Sequence, residues 1–304
     1  MNHQDSPNSA DVIIAQRLAR RKFLAQAGLF TLGGAAALTA GTRTAFAKEH
    51  DSAAEAAQEA AQGMDTVKEI FTAALIAEDL ASTFYYNALV GTVIQDPNLA
   101  GPGGTATNVS SAGNSGNVAY LRAALTQELQ HAALFRSLLG IPAAAQDPVQ
   151  TFYFPAGTFD SLAAFTGLLD ALENAFIGAY LNAIQEFAAK SANAHRGDGA
   201  WREPADRAYS KEQLDYFAKV SASILGVESE HRVLGRVISG TDPANNLNYE
   251  STDGLNAVYN GPHSAVAALT PFLTSSTGPG FTLETAVMHQ ADVSLPIAGG
   301  PPSL

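Results

Sequence analysis

Two Glu-x-x-His steps constrain this chain more than any other feature. Glu128 and His131 stand in TQELQHAALF, and Glu228 and His231 in SILGVESEHRVLGRVISG. Each step sits in a run whose apolar residues recur every three or four positions, the period of one buried helical face. Residues three apart project from the same side of a helix, so each Glu enters the core together with its His. Ala124, Leu125, Ala132 and Phe135 mark that side in one run; Ile224, Leu225, Val227 and Leu234 mark it in the other. Glu230 falls roughly 200° round from Glu228 and is expected to face solvent. A carboxylate inside an apolar stripe is costly unless it is paired or bound to metal.

The same cost recurs twice more. In AEDLASTFYYNAL, Glu78 shares its side with Ala74, Leu75, Ser82 and Tyr85. In LLDALENAFIGAYLNA, Glu173 lies one turn from Leu169 and Ile177 and two from Tyr180. The set is Glu, Glu-x-x-His, Glu, Glu-x-x-His, one element per helical run. Glu78 to Glu128 spans 50 residues and Glu173 to Glu228 spans 55, which points to a duplicated helical pair. Four carboxylates and two imidazoles on four helices form the pattern of carboxylate-bridged di-iron or di-manganese sites. Two hard divalent ions need several anionic oxygens, and imidazoles complete the ends. Zinc prefers fewer ligands. A metal-free network of buried ion pairs would set four acids against two histidines, which is electrostatically poor.

Periodicity predicts helices over about Thr66–Val90, Val118–Leu139, Ser161–Lys190 and Ser210–Ile238, with Asp160 or Ser161 capping the third. Gly140 and Pro142 end the second, Ser239 and Gly240 the fourth. The Gly- and Asn-rich stretch Gln95–Asn117 lacks the Lys and the strand–helix frame of a phosphate-binding loop and reads as a surface excursion. No convincing strand is visible. The expected fold is all-α: an antiparallel four-helix bundle over residues 66–240, followed by a long irregular C-terminal extension, 241–304, packed on the bundle with only short helices near Ala265–Leu273.

Ahead of the bundle, ARRKFL precedes an apolar, glycine-bearing run that ends in AFA. Paired Arg20 and Arg21, then Phe23 and Leu24, then small Ala45 and Ala47 describe a twin-arginine export signal over residues 1–47, cleaved after Ala47. Residues 48–65 form a polar lead-in. The expected location is periplasmic or otherwise extracytoplasmic. No later stretch reaches the ~18 uninterrupted apolar residues of a spanning helix, so the mature chain is not expected to be membrane-embedded. Removing the signal takes away five Lys/Arg and two acids, moving the net charge from −12 to −15. Such a surface repels phosphate backbones, which excludes nucleic acid as a natural partner, and attracts cations. With no cysteine, disulfides, thiolate metal sites and Cys nucleophiles are excluded.

The quoted helices, with ELQHAALFRSLLG and ESEHRVLGRVI, resemble the ferritin-like superfamily, and more closely its exported branch that includes desiccation-related proteins. Phe84 and Tyr85 follow Glu78 at that branch's spacing. The resemblance implies Glu78 and Glu173 as metal ligands, Glu128 and Glu228 as ligands or bridges, and His131 and His231 as end ligands of two iron or manganese ions. The long loop and extension have no counterpart in minimal ferritin subunits, which argues against a storage cage. Tyr85 and Tyr180 are candidates to hydrogen-bond a ligand or relay an electron. The expected function is a di-metal oxidoreductase of ferroxidase, peroxidase or manganese-catalase type, oxidising ferrous iron or consuming peroxide, with O₂ or peroxide as the partner in stress defence. The alternative is a desiccation- or stress-protective protein with structural metal or none; a metal-buffering binder is a third. A homodimer fits, since such bundles often pack face to face. Arg122, Arg136 and Arg232 are expected to balance acids at helix surfaces, with Arg232 also a candidate partner of the ligands; His50, His195, His263 and His289 read as surface residues.

Overall fold

A computed structural model describes residues 65–194, 204–244 and 265–295. The export signal, its cleavage point, His50, His195 and His263 lie outside these residues. Four long helices dominate: α1 (Val67–Val90), α2 (Ser115–Leu139), α3 (Leu162–Ala194) and α4 (Lys211–Ser239). Their ends follow local chemistry. Thr66 and Glu69 form a capping box at α1, and Ser210 and Gln213 form another at α4. Ser161 Oγ accepts from the Ala164 N–H at the start of α3. α2 begins three residues earlier than its periodicity suggests because the Asn114 side chain accepts from the N–H groups of Gly116 and Asn117. Gly140 and Gly240, at φ 70° and 73°, close α2 and α4 in the left-handed conformation.

Contacts between rings and ions fix the directions. Phe71, early in α1, meets Phe135, late in α2, and Phe187, late in α3. Phe84, late in α1, stacks on Phe165, early in α3. Arg236, late in α4, bonds Asp170, early in α3, at 2.7 Å. Neighbouring helices in the ring α2–α1–α3–α4 therefore run antiparallel, and the α2–α3 connection crosses the diagonal. The all-α bundle with an irregular C-terminal extension is thus as expected. α3 is long and apolar enough to cross a membrane, with mean hydropathy 1.2, yet 56% of that window is buried within the protein. Its apolarity serves the core.

Three features differ from the sequence reading. First, a small strand pair exists: β1 (Thr151–Tyr153), in the α2–α3 connection, pairs antiparallel with β2 (Gly280–Thr282), Phe152 opposite Phe281. Second, the Gly-rich loop is not a plain surface excursion, because Leu99, Ala100 and Ala106 are buried in the main core cluster. Asn114 N–H donates to Leu99 O and Ser110 N–H to Ala100 O, tying the loop over them. Third, α1 is buried round most of its circumference, because the extension also packs on it. There, α5 (Ala265–Leu269) and α6 (Leu283–His289) supply buried Leu269, Leu283 and Ala286. Arg122 anchors the extension by donating to the carbonyls of Val293 (2.7 Å) and Ser294 (2.9 Å), rather than balancing an acid.

Candidate metal centre

The helices bring all six predicted ligand residues together in the bundle interior. Glu78, Glu128, Glu173, Glu228 and His231 are at most 2% exposed; the His131 side chain retains 13%. The donor atoms fall into two overlapping groups. Glu78, Glu128, His131 and Glu228 form one; Glu128, Glu173, Glu228 and His231 form the other; within each, one donor atom per residue lies within 4.8 Å of the rest. Glu128 and Glu228 belong to both. His131 Nδ1 stands 3.2 Å from Glu78, 3.6 Å from Glu128 and 3.5 Å from Glu228. His231 Nδ1 stands 2.9 Å from Glu128, 3.5 Å from Glu228 and 3.9 Å from Glu173.

The donor set has the chemistry of a cation site. Both carboxylate oxygens of Glu128 and of Glu228, one of Glu173 and Nδ1 of His231 are buried and make no well-aligned hydrogen bond, although Nδ1 and Glu128 Oε1 approach to 2.9 Å. Groups of this kind are normally satisfied, and leaving one unmade costs roughly 1–3 kcal/mol. Six of them converging on one small volume call for a shared positive charge. His231 is poised accordingly: its Nε2 lies 2.9 Å from Gln127 Oε1. With the proton on Nε2 donated to Gln127, the Nδ1 lone pair faces the carboxylates, the usual way a neighbouring acceptor orients a ligating histidine. Without a cation the acids repel one another. Burial pushes Glu78 up to about 8 and holds Glu173 and Glu228 well above the carboxylate range, where the neighbouring acids add to the shift. Glu128 alone goes down, its burial outweighed by His231 and His131.

Tyr85 and Tyr180 exchange partners across α1 and α3. Tyr85, seven residues after Glu78, donates to Glu173 Oε1 at 2.6 Å; Tyr180, seven after Glu173, donates to Glu78 Oε1. The equal spacing and the antiparallel helices make this exchange reciprocal, which fits a duplicated helical pair. Both tyrosines are buried, and both hydroxyls are held by carboxyl groups of the centre. Glu230 faces solvent and His289 is exposed, as expected.

Residues 66–197 match a family model described as the ferritin-like domain. In fold, the bundle is ferritin-like. Comparison with curated proteins and with solved structures gave no match. The ferritin-like match spans α1 to α3, hence Glu78, Glu128, His131 and Glu173, and stops before α4. Glu228 and His231 are added by packing alone, and they complete both donor groups.

Sequence reasoning missed several groups around this centre. Gln127 orients His231, yet nothing in TQELQH distinguishes it from a surface glutamine. Asp79, beside Glu78, is fully buried. It accepts from Arg136 Nη2 at 2.7 Å, and Asp147 accepts from Arg136 Nε at 2.6 Å. Arg136 therefore balances acids in the interior, not at the helix surface. Arg232 is also buried and donates to Asn174 Oδ1 at 2.7 Å, next to Glu173. The contiguous acids in AEDL were the available signal for Asp79.

Proposed function

We propose that this ferritin-like protein is an extracytoplasmic oxidoreductase holding two iron or manganese ions, one in each donor group. The carrying observation is that two four-residue groups share Glu128 and Glu228 as common members. In this reading Glu128 and Glu228 would be held in common by both ions, Glu78 and His131 would hold one of them, and Glu173 and His231 the other. Iron or manganese bound there would supply redox chemistry and open coordination positions for dioxygen or peroxide. The chain's own residues hold the donors in place: Tyr85 fixes Glu173, Tyr180 fixes Glu78, and Gln127 sets the His231 tautomer. The twin-arginine pattern at Arg20 and Arg21 supports the reading, since that export route carries folded, cofactor-loaded proteins. The resemblance of the helix motifs to desiccation-related proteins supports a role in stress defence, as ferrous-iron oxidation or peroxide consumption.

Elemental analysis of mature protein exported by its own signal tests this, beside a Glu128→Ala/His131→Ala control. About two iron or manganese ions per chain are expected, lost in the control, with ferrous-oxidation and peroxide assays then assigning the reaction. Metal-free protein, inactive in both assays, would overturn the proposal in favour of a protective scaffold that uses the six residues as a buried polar network.

A further inference from the structure

Beside the centre, between α1 and α3 and beneath α5, lies a cavity of about 50 Å³. Its walls are largely apolar: Ala74 and Ala77 from α1 and Ala179 and Ala183 from α3 stand among the larger Phe71 and Phe135. Leu269 of α5 covers it from the extension. Tyr180 belongs to both places, since it lines the cavity while its hydroxyl donates to Glu78. Tyr180 thus links the void to the Glu78 donor group.

Size and polarity restrict the occupant. A water-sized molecule needs roughly 10–15 Å³ in this measure, so the void holds a molecule of a few heavy atoms and not an acyl chain. Water or peroxide there would need two to four polar partners. The polar groups on the wall are already committed: Tyr180 to Glu78, Ser221 to the Phe217 carbonyl at 3.0 Å, and Asn182 to a partner of its own. Apolar cavities of this kind stay dry and take up apolar molecules or gases such as xenon. A void also weakens packing, so one set against the candidate centre is more readily understood as a site than as a filling error.

We propose that this cavity binds dioxygen and delivers it to the Glu78 side of the centre. That the gas is dioxygen rests on the proposed redox function; that the cavity takes a small apolar gas rests on its walls alone.

Xenon is the probe. In crystals of the mature protein pressurised with xenon, an atom is expected between Ala74, Ala179 and Tyr180. Ala179→Val and, separately, Ala74→Val should each displace it and raise the KM for O₂ at least fivefold, with ions per chain and peroxide-driven turnover unchanged. No xenon in the wild-type cavity would overturn the pocket. Xenon displaced by both variants at an unchanged KM for O₂ would overturn delivery. Xenon bound in protein that carries no metal would sink the proposed function while leaving the gas pocket standing.

Discussion

The two donor groups share Glu128 and Glu228 but meet their surroundings differently. The group ending in His231 is sealed: all four of its residues are buried, and Gln127 closes over Nε2 of the imidazole. The group ending in His131 is open at its edge, where that side chain keeps 13% exposure, and the apolar cavity reaches the same half through Tyr180. α1 with α2 and α3 with α4 supply equivalent acids at similar spacing, so the difference comes from neighbours. The position on α4 that corresponds to Gln127 is Val227, which offers no side-chain acceptor. Two helical pairs with similar acid spacing thus present one enclosed donor group and one that reaches solvent and the cavity.

The largest effect should come from the shared residues. Glu128→Ala or Glu228→Ala should remove both ions, taking the content from about two per chain to near none. The metal-free variants should still fold. Glu228 is pushed up by burial and by its acidic neighbours, so Glu228→Ala should change the stability of the metal-free chain little, whereas Glu128→Ala removes the partner of both imidazoles and should lower it by about 3–5 kcal/mol. Elemental analysis with denaturant melts of both forms checks this. One ion retained by either variant would show that the two halves do not share that bridge.

Separating the halves is the next test. His131→Ala should leave an ion in the sealed half, and His231→Ala should leave one in the open half. Chelator-driven release is expected to be slower for the first by at least about tenfold, since each ~1.4 kcal/mol of opening free energy gives that factor. Equal rates would contradict the difference in access. A smaller step within the sealed half is Gln127→Ala, which should weaken metal binding by about 10–100-fold, as loss of a residue orienting a ligand does. Metal titrations monitored by calorimetry would show the weakening at one site and leave the other unchanged.

Much of this centre was visible before folding because helical period and chemistry coincide. An acid at a core position is conspicuous in AEDLASTFYYNAL or LENAFIGAYLNA, and three-residue spacing decides which side of the helix a histidine shares. What surrounds the centre was not visible, because it depends on contacts between distant segments. Thr151 pairs with Thr282, and Arg122 reaches Val293; no local pattern announces either. Leu99 and Ala100 are buried inside a stretch whose composition reads as loop. Gln127 and Arg136 look like surface residues on any helix, and only the placement of α4 beside α2, and of Asp79 and Asp147 about Arg136, gives them interior roles. Even the reciprocal tyrosines needed the structure. Spacing put Tyr85 on the side of Glu78, but the antiparallel crossing of α1 and α3 makes it serve Glu173 instead.

That reciprocity yields the smallest and sharpest comparison. In the metal-free protein burial is the chief cause that pushes Glu78 up to about 8 and Glu173 well above the carboxylate range. Each tyrosine hydroxyl bonds one of these two carboxyl groups, an interaction worth about 0.5–1.5 kcal/mol net. Tyr85→Phe and Tyr180→Phe should therefore each lower stability by that small amount, or by a few degrees of melting temperature in a domain of this size. The two losses should be similar if the halves are equally anchored and differ only in access. A clearly larger loss for Tyr85→Phe would mean that the sealed half is also the more rigid one, so that retention comes from anchoring as well as burial. A larger loss for Tyr180→Phe would instead make the hydroxyl beside the apolar cavity the chief support of Glu78, binding the shape of the gas pocket to the geometry of the open position.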